Sequence, residues 1–285
     1  MNKPIATPSR TKEILETYDL FAKKNYGQNF LIESSVVEKI ARSAMVSDHC
    51  VVFEIGPGIG ALTQYLCEYA KKVVSFEIDE RLPAVLKETL SEYDNFEIVL
   101  QDFLEIDLVE WVEKYKKEGY DVVIAANLPY YITTPILFKI FESHADISAI
   151  TVMMQKEVAD RFHAVPNTKD YNALSIITQY RCDVKSVMKV PKNVFMPKPN
   201  VDSAVLQFRF IERDNTIEET HFFEMVKACF KQRRKTILNN FGEYCENKES
   251  ARLILEKAQI EVARRAESLG MDEFIHLYEV MTHED

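Results

Sequence analysis

The sequence predicts an α/β fold: a mostly parallel, seven-stranded sheet with helices on both faces, followed by a small α-helical domain. Three observations carry that prediction. Short β-rich runs alternate with helix-period stretches four times between residues 51 and 153. A cluster of three glycines, in a chain with only seven, falls directly after the first of those runs. Beyond Ile211 the β signal stops and only helical periodicity remains.

Taken in order, residues 1–22 are polar, with a helical stretch near 9–20. Between 32 and 45, Val36, Val37, Ile40, Ala41 and Ala44 recur at helical spacing, and Ser34 or Ser35 is positioned to cap that helix. The β-rich runs are 51–55, 73–77, 96–100, 121–126 and 149–153, and the helical patterns between them are 61–70, 80–93, 104–117 and 135–142. Such alternation gives parallel strands joined by right-handed crossovers. Two further runs, 184–190 and 204–210, are separated by a Pro-rich loop, which fits an antiparallel hairpin at the sheet edge. Residues 221–241, 248–259 and 272–281 then read as helices, dividing the chain into domains 1–211 and 212–285. Phe222, Phe223, Met225, Phe274, Leu277 and Met281 read as the core of the second.

Composition removes several classes. With 47% hydrophobic and 28% charged residues the chain is neither disordered nor collagen-like. No apolar run approaches the ~20 residues that span a bilayer, and the first six residues lack an apolar signal core, so we expect a cytoplasmic protein without a membrane partner. The five cysteines are scattered, without a C-x-x-C pair, and the six histidines form no H-E-x-x-H, so no metal is expected. The formal charge of −10 speaks against nucleic acid, but it averages unlike regions: residues 181–240 hold 12 Lys or Arg against 7 Asp or Glu.

Val51-Val52-Phe53-Glu54-Ile55-Gly56-Pro57-Gly58-Ile59-Gly60 is a buried strand running into a glycine turn and a helix. Glycines let the backbone approach a ligand closely, and a helix start offers free N–H groups. The turn is G-x-G-x-G, one residue short of the dinucleotide fingerprint, and Pro57 removes an N–H that a pyrophosphate would use. Glu77 ends the next strand, 21 positions after Gly56, where a carboxylate can accept both ribose hydroxyls. Asp102 follows the third strand, where a carboxylate can accept from an adenine amino group. Glycine, Glu and Asp at three consecutive strand ends describe a site for adenosine without phosphates, which S-adenosylmethionine fits.

The fourth strand ends in Ala126-Asn127-Leu128-Pro129-Tyr130-Tyr131. An adenine N6 amino group is a poor nucleophile because its lone pair is delocalised into the ring. The Asn127 side chain and a backbone carbonyl of Leu128 or Pro129 could hold its two hydrogens and turn the lone pair toward a sulfonium methyl. Pro129 would fix the turn and Tyr130 would stack on the base. Preorganised dipoles of this kind need neither a metal nor a nucleophilic side chain.

With these residues the chain resembles the KsgA/RsmA family of small-subunit rRNA adenine N6,N6-dimethyltransferases over nearly its whole length. Lys23-Lys24-Asn25-Tyr26-Gly27-Gln28-Asn29-Phe30-Leu31 is similar to the family's N-terminal cofactor segment, Glu54 to Gly60 to its E-I-G-P-G-x-G turn, and Asn127 to Tyr130 to its N-L-P-Y loop. Residues 194–203, with Phe195 and Val201-Asp202-Ser203, resemble its V-F-x-P-x-P-x-V-D-S loop, and Gln232-Arg233-Arg234-Lys235 its Q-R-R-K motif. The resemblance implies a Rossmann-like class I methyltransferase fold. It implies Asn29, Leu31, Gly56, Glu77, Asp102 and Asn127 as S-adenosylmethionine contacts, and Asn127, Leu128, Pro129 and Tyr130 as the catalytic loop. Tyr130 and Phe195 would hold the target adenine. The implied reaction dimethylates two adjacent adenosines in a hairpin near the 3′ end of 16S rRNA, within a pre-assembled 30S particle. We expect the enzyme to act as a monomer.

Local charge agrees with RNA. Lys231, Arg233, Arg234 and Lys235 cluster on or beside one helix and could contact phosphates, although such a run also describes a solvated helix face. Phe195 sits in a rigid Pro-rich loop, where it either meets a base or packs inward.

Overall fold

The computed structural model describes residues 3–20, 29–212 and 217–283. In chain order the elements are α1 (Pro8–Thr17), β1 (Phe30–Leu31), α2 (Ser34–Ser43), β2 (Cys50–Ile55), α3 (Ala61–Tyr69), β3 (Lys72–Glu77), α4 (Leu82–Thr89), β4 (Phe96–Leu100), α5 (Leu108–Lys117), β5 (Asp121–Asn127), α6 (Thr133–Glu142), β6 (Ala149–Gln155), α7 (Lys156–Phe162), α8 (Ala173–Arg181), β7 (Cys182–Val190), β8 (Phe195–Met196), β9 (Ser203–Phe210), α9 (Glu219–Cys229), α10 (Ile237–Tyr244), α11 (Lys248–Lys257) and α12 (Met271–Thr282).

Seven strands form one sheet in the order β4-β3-β2-β5-β6-β9-β7. The first five are mutually parallel, and β9 runs antiparallel to β6 with Ser203 opposite Gln155. All six residues of β2 are buried, as a central parallel strand covered on both faces requires. Its alternating side chains feed two different layers. Val52 packs with Val37 and Ile40 of α2 and Leu62 and Leu66 of α3. On the opposite face Phe53 and Phe76 meet Trp111 of α5 edge-on. From β2 the chain works outward to β4 and then returns to β5 on the other side of β2. The strand order therefore reverses between β2 and β5, where open α/β sheets leave a crevice beyond the strand ends.

The two late strands are neighbours at the sheet edge, but the loop joining them is more than a hairpin turn. It carries β8, which pairs antiparallel with β1, Phe30 opposite Met196 and Leu31 opposite Phe195. Ile32 N–H extends the clip by donating to Val194 O at 2.9 Å.

Other expectations are corrected. Helix α2 is entered one residue early: Glu33 occupies the cap position, and Ser34 Oγ instead donates to Ala6 O at 2.9 Å. The single helix expected over 221–241 is two, α9 and α10, broken at 231–236. Buried Asn240 spans the break, donating from Nδ2 to Cys229 O (2.7 Å) and Gln232 O (3.1 Å) and so satisfying carbonyls at the end of α9. Continuing the helix would also have aligned Lys231, Arg234 and Lys235 at repelling spacings. Helix α8 was not foreseen because burial on nearly every side (Leu174, Ser175, Ile176, Ile177, Thr178, Tyr180) erases its amphipathic period.

The chain divides into two compact units, Met1–Ala159 with Asp183–Phe210, and Asp160–Cys182 with Ile211–Asp285. A single boundary at 211 is therefore corrected: the 160–182 segment belongs with the C-terminal helices. Aromatic packing ties it there, Tyr180 on Phe222 at 5.0 Å and Tyr171 on Phe230 at 5.9 Å, with Tyr171 Oη donating to Leu269 O at 2.8 Å. Phe222, Phe223, Met225, Phe274 and Leu277 are buried as expected, and Met281 is half-buried. Among the described residues no helix is long and apolar enough to cross a membrane.

Candidate active site

One cleft opens at the carboxyl ends of β2 to β5. Gly56, Glu77, Asp102 and Asn127, from four successive parallel strands, line it together with Asn29 and Leu31 of the β1 segment. The remainder of the N-terminal motif, Lys23 to Gln28, lies outside the described residues.

The turn after β2 needs its glycines for conformation and for space. Gly56, Gly58 and Gly60 all have positive φ, at 68°, 58° and 92°. A Cβ on Gly60 would also lie 3.2 Å from Leu86 and 3.3 Å from Leu90, and one on Gly58 3.4 Å from the Phe30 ring. Beneath the turn, Glu54 is fully buried and accepts from Thr63 Oγ1 (2.7 Å) and Ser75 Oγ (2.8 Å) through one oxygen. Burial pushes its carboxyl up to about 7, against the pull of those two hydroxyls.

Glu77 is anchored at the end of β3, Oε1 accepting from the N–H groups of Ile78 (2.8 Å) and Asp79 (2.9 Å). Burial raises its carboxyl above the ordinary value, and those backbone donors oppose the rise. Asp102 Oδ1 accepts from Leu104 N–H at 2.8 Å, which fixes that carboxylate beyond β4. Beside each acid stands an apolar side chain, Ile78 and Phe103, and both line the cleft. Ile78 is 42% exposed, unusual for its type, and gives the cleft an apolar wall. Neither wall was foreseen, although each is the residue next to an acid that was.

In the loop after β5, Leu128 N–H donates to Met153 O at 3.1 Å, continuing the β5–β6 ladder by one bond. The Pro129 carbonyl accepts from Ile132 N–H (3.2 Å) and from Thr133 Oγ1 (3.0 Å), engaging both its lone pairs. Of the two carbonyls left open by the sequence, that of Pro129 is thus already engaged within the loop. Tyr130 is half-buried on the cleft, and its Oη bonds Ser203 Oγ at 2.9 Å. Burial raises its phenol above the usual value, with Ser203 opposing.

Phe195 is not brought to this cleft. It is 4% exposed and packs in the core with Leu31, Val37 and Val205, so of its two sequence readings the inward one holds, fixed by pairing opposite Leu31. The basic motif is likewise no helix face but the turn between α9 and α10, and its four cations differ. Lys231 Nζ pairs with Glu243 at 2.7 Å. Arg233 pairs with Glu267 at 2.8 Å and donates to Lys169 O at 2.5 Å. Arg234 and Lys235 are exposed, and their side chains make no ion pair or hydrogen bond among the described residues.

A sheet with this strand order, a glycine turn at its switch point and acids at the next two strand ends defines a class I methyltransferase. The family model described as "Ribosomal RNA adenine dimethylase" matches residues 20–283, and the chain belongs to that family. It is 48% identical over 278 residues to the Ribosomal RNA small subunit methyltransferase A of Oceanobacillus iheyensis, covering 96% of this chain and 95% of that protein. It is 47% identical over 287 residues to the protein of the same name from Bacillus pumilus, covering 99% and 98%. Among solved structures, a dimethyladenosine transferase from Plasmodium falciparum superposes with a TM-score of 0.73 at 26% identity, over 89% of this chain and 98% of that one. The 23S rRNA methyltransferase ErmE superposes with a TM-score of 0.62 at 26% identity, over 89% and 100%.

Proposed function

We propose that this protein transfers methyl groups from S-adenosylmethionine to N6 of two adjacent adenosines in a hairpin near the 3′ end of 16S rRNA, each adenosine receiving two, as a monomer acting on pre-assembled 30S particles in the cytoplasm. The observation that supports it most is the meeting of Gly56, Glu77, Asp102 and the Asn127–Tyr130 loop on one cleft. Asn29, Leu31 and the glycine turn would hold the cofactor's methionine side, Glu77 its ribose, and Asp102 its adenine between Ile78 and Phe103. Bound there, S-adenosylmethionine supplies an electrophilic methyl on a sulfonium sulfur.

The chain's own residues prepare the base. The Asn127 side-chain oxygen and the Leu128 carbonyl accept the two N6 hydrogens, drawing the lone pair out of conjugation, while Tyr130 stacks on the ring. Pro129 fixes the turn, its carbonyl tied down by Ile132 and Thr133. N6 would take the methyl that the bound cofactor supplies, the bonding pair staying with the cofactor's sulfur, and would give up its own proton to water. A monomethylated adenine brings only one hydrogen back, so one of the two oxygens must tolerate a methyl beside it.

The helical unit would bind rRNA, Arg234 and Lys235 being the cations placed to contact phosphates. Bases have to leave their stack to enter such a cleft, which favours a looped target. Incubating the enzyme and cofactor with 30S particles, 23S rRNA and duplex DNA, then digesting each for mass spectrometry, tests the reading. N6,N6-dimethyladenosine in 16S rRNA is the expected product, and methylation confined to 23S rRNA or DNA would overturn the assignment.

A further inference from the structure

We propose that Ser203 is a positioning residue for methyl transfer, its hydroxyl pinning the far end of the Tyr130 ring so that the ring axis keeps one direction as the target base arrives. This rests on the methyltransferase reading above.

Ser203 is fully buried and opens β9, opposite Gln155 of β6. Its backbone position is set from both sides. Ahead of it, Asp202 O accepts from Lys156 N–H at 3.0 Å and Asp202 Oδ1 accepts from Lys192 N–H at 2.9 Å. Behind it runs the β6–β9 ladder. The Ser203 hydroxyl is thus a fixed point of the sheet, and its side-chain partner among the described residues is Tyr130 Oη, at 2.9 Å.

The other hydrogen bonds of the loop act on its backbone: Leu128 on Met153, and Ile132 and Thr133 on Pro129. Backbone anchoring leaves a tyrosine free to choose its χ1. A bond at Oη removes that freedom, because Oη lies on the ring axis and pinning it fixes the direction in which the axis points. Phenylalanine would stack on a base as well as tyrosine does, so stacking alone gives the phenol no role. A half-buried phenol opposite a fully buried serine is a built contact, since either hydroxyl left alone there would lose its solvation without recompense. The ring that faces the base is in this way tied to the last strand of the sheet, 73 residues further along the chain.

The test is a double-mutant cycle on the full chain with 30S particles as substrate. Ser203→Ala and Tyr130→Phe should each lower kcat roughly three- to tenfold, the size of one neutral hydrogen bond, with the Kd for S-adenosylmethionine unchanged. The double variant should be no slower than the slower single one. Multiplied effects, or wild-type kcat in Tyr130→Phe, would overturn the proposal, and the latter holds however well Ser203→Ala folds. A second readout is the phenol itself. In enzyme carrying ζ-13C tyrosine, the resonance absent from Tyr130→Phe should titrate at higher pH in Ser203→Ala than in wild type, and an unmoved titration overturns the bond. If wild-type enzyme methylates no small-subunit rRNA, the functional reading falls and this proposal with it. Where wild type methylates and the cycle multiplies, Ser203 alone loses its role.

Discussion

At the strand ends of the sheet, the acids that line the cleft, Glu77 buried and Asp102 half-buried, are each held by backbone N–H groups of the turn that follows them. In the turn between α9 and α10 the candidate ligand-binding groups are exposed cations, two of them already engaged with Glu243 and Glu267. The contrast separates a preorganised site, whose geometry exists before any ligand arrives, from a charged surface whose members must be sorted one at a time. A residue's type is informative in the first region because the backbone dictates where it points. In the second, type says little until its neighbours are known.

Substitutions sharpen that contrast, beginning at the cleft. On the proposed mechanism Asn127→Ala removes one of the two acceptors for the N6 hydrogens, so kcat should fall on the order of 100- to 1000-fold while RNA affinity is kept. Single-turnover assays beside filter binding separate the two, and unchanged turnover would mean the loop does not polarise N6. Glu54→Gln should act on stability. Burial raises this carboxyl from 4.5 to about 7, so the folded state holds more protons than the unfolded one between those values. The contribution is fully present below pH 4.5 and lost as pH rises through 7. Urea denaturation from pH 5 to 8 should show the wild type losing on the order of 3 kcal/mol relative to the glutamine variant, with the variant the flatter.

Next in size, Gly60→Ala puts a side chain at φ 92° against Leu86 and Leu90 and should cost about 2 kcal/mol of stability. Its thermal midpoint, compared with that of Gly119→Ala, where nothing lies within 4 Å, isolates the packing part. The smallest effects belong to the basic turn. Arg234→Ala and Lys235→Ala should each lower the salt-dependence slope of RNA binding by about one. Arg233→Ala should instead take about 1 kcal/mol or less from stability and leave the slope alone. Equal slope changes for all three would erase the distinction drawn from the ion pairs.

What could be read in advance follows the same divide. The glycine turn, Glu77, Asp102 and Asn127 were legible because each is fixed by its own strand and the turn that ends it, within a few residues. The parallel sheet was legible for the same reason, through short-range periodicity. Phe195 was not, since its direction depends on Leu31, far away in sequence but opposite it in β1–β8. Arg233 was not, since Glu267 and the Lys169 carbonyl come from segments that only the fold unites. The break in the long helix is bridged by one buried amide, Asn240, whose reach back to Cys229 leaves no trace in hydrophobic spacing. Ser203 stands inside the Val201-Asp202-Ser203 motif, but its partner depends on the register of β9 on β6, which no local pattern carries.

The clip between β1 and β8 has a consequence for synthesis. Asn29 and Leu31 form part of the cleft wall, yet the strand that carries them is completed by Phe195 and Met196. A nascent chain therefore exposes its glycine turn, both strand-end acids and the Asn127 loop to the cell long before that wall can close. That wall cannot be complete until Phe195 and Met196 have left the ribosome and paired with β1.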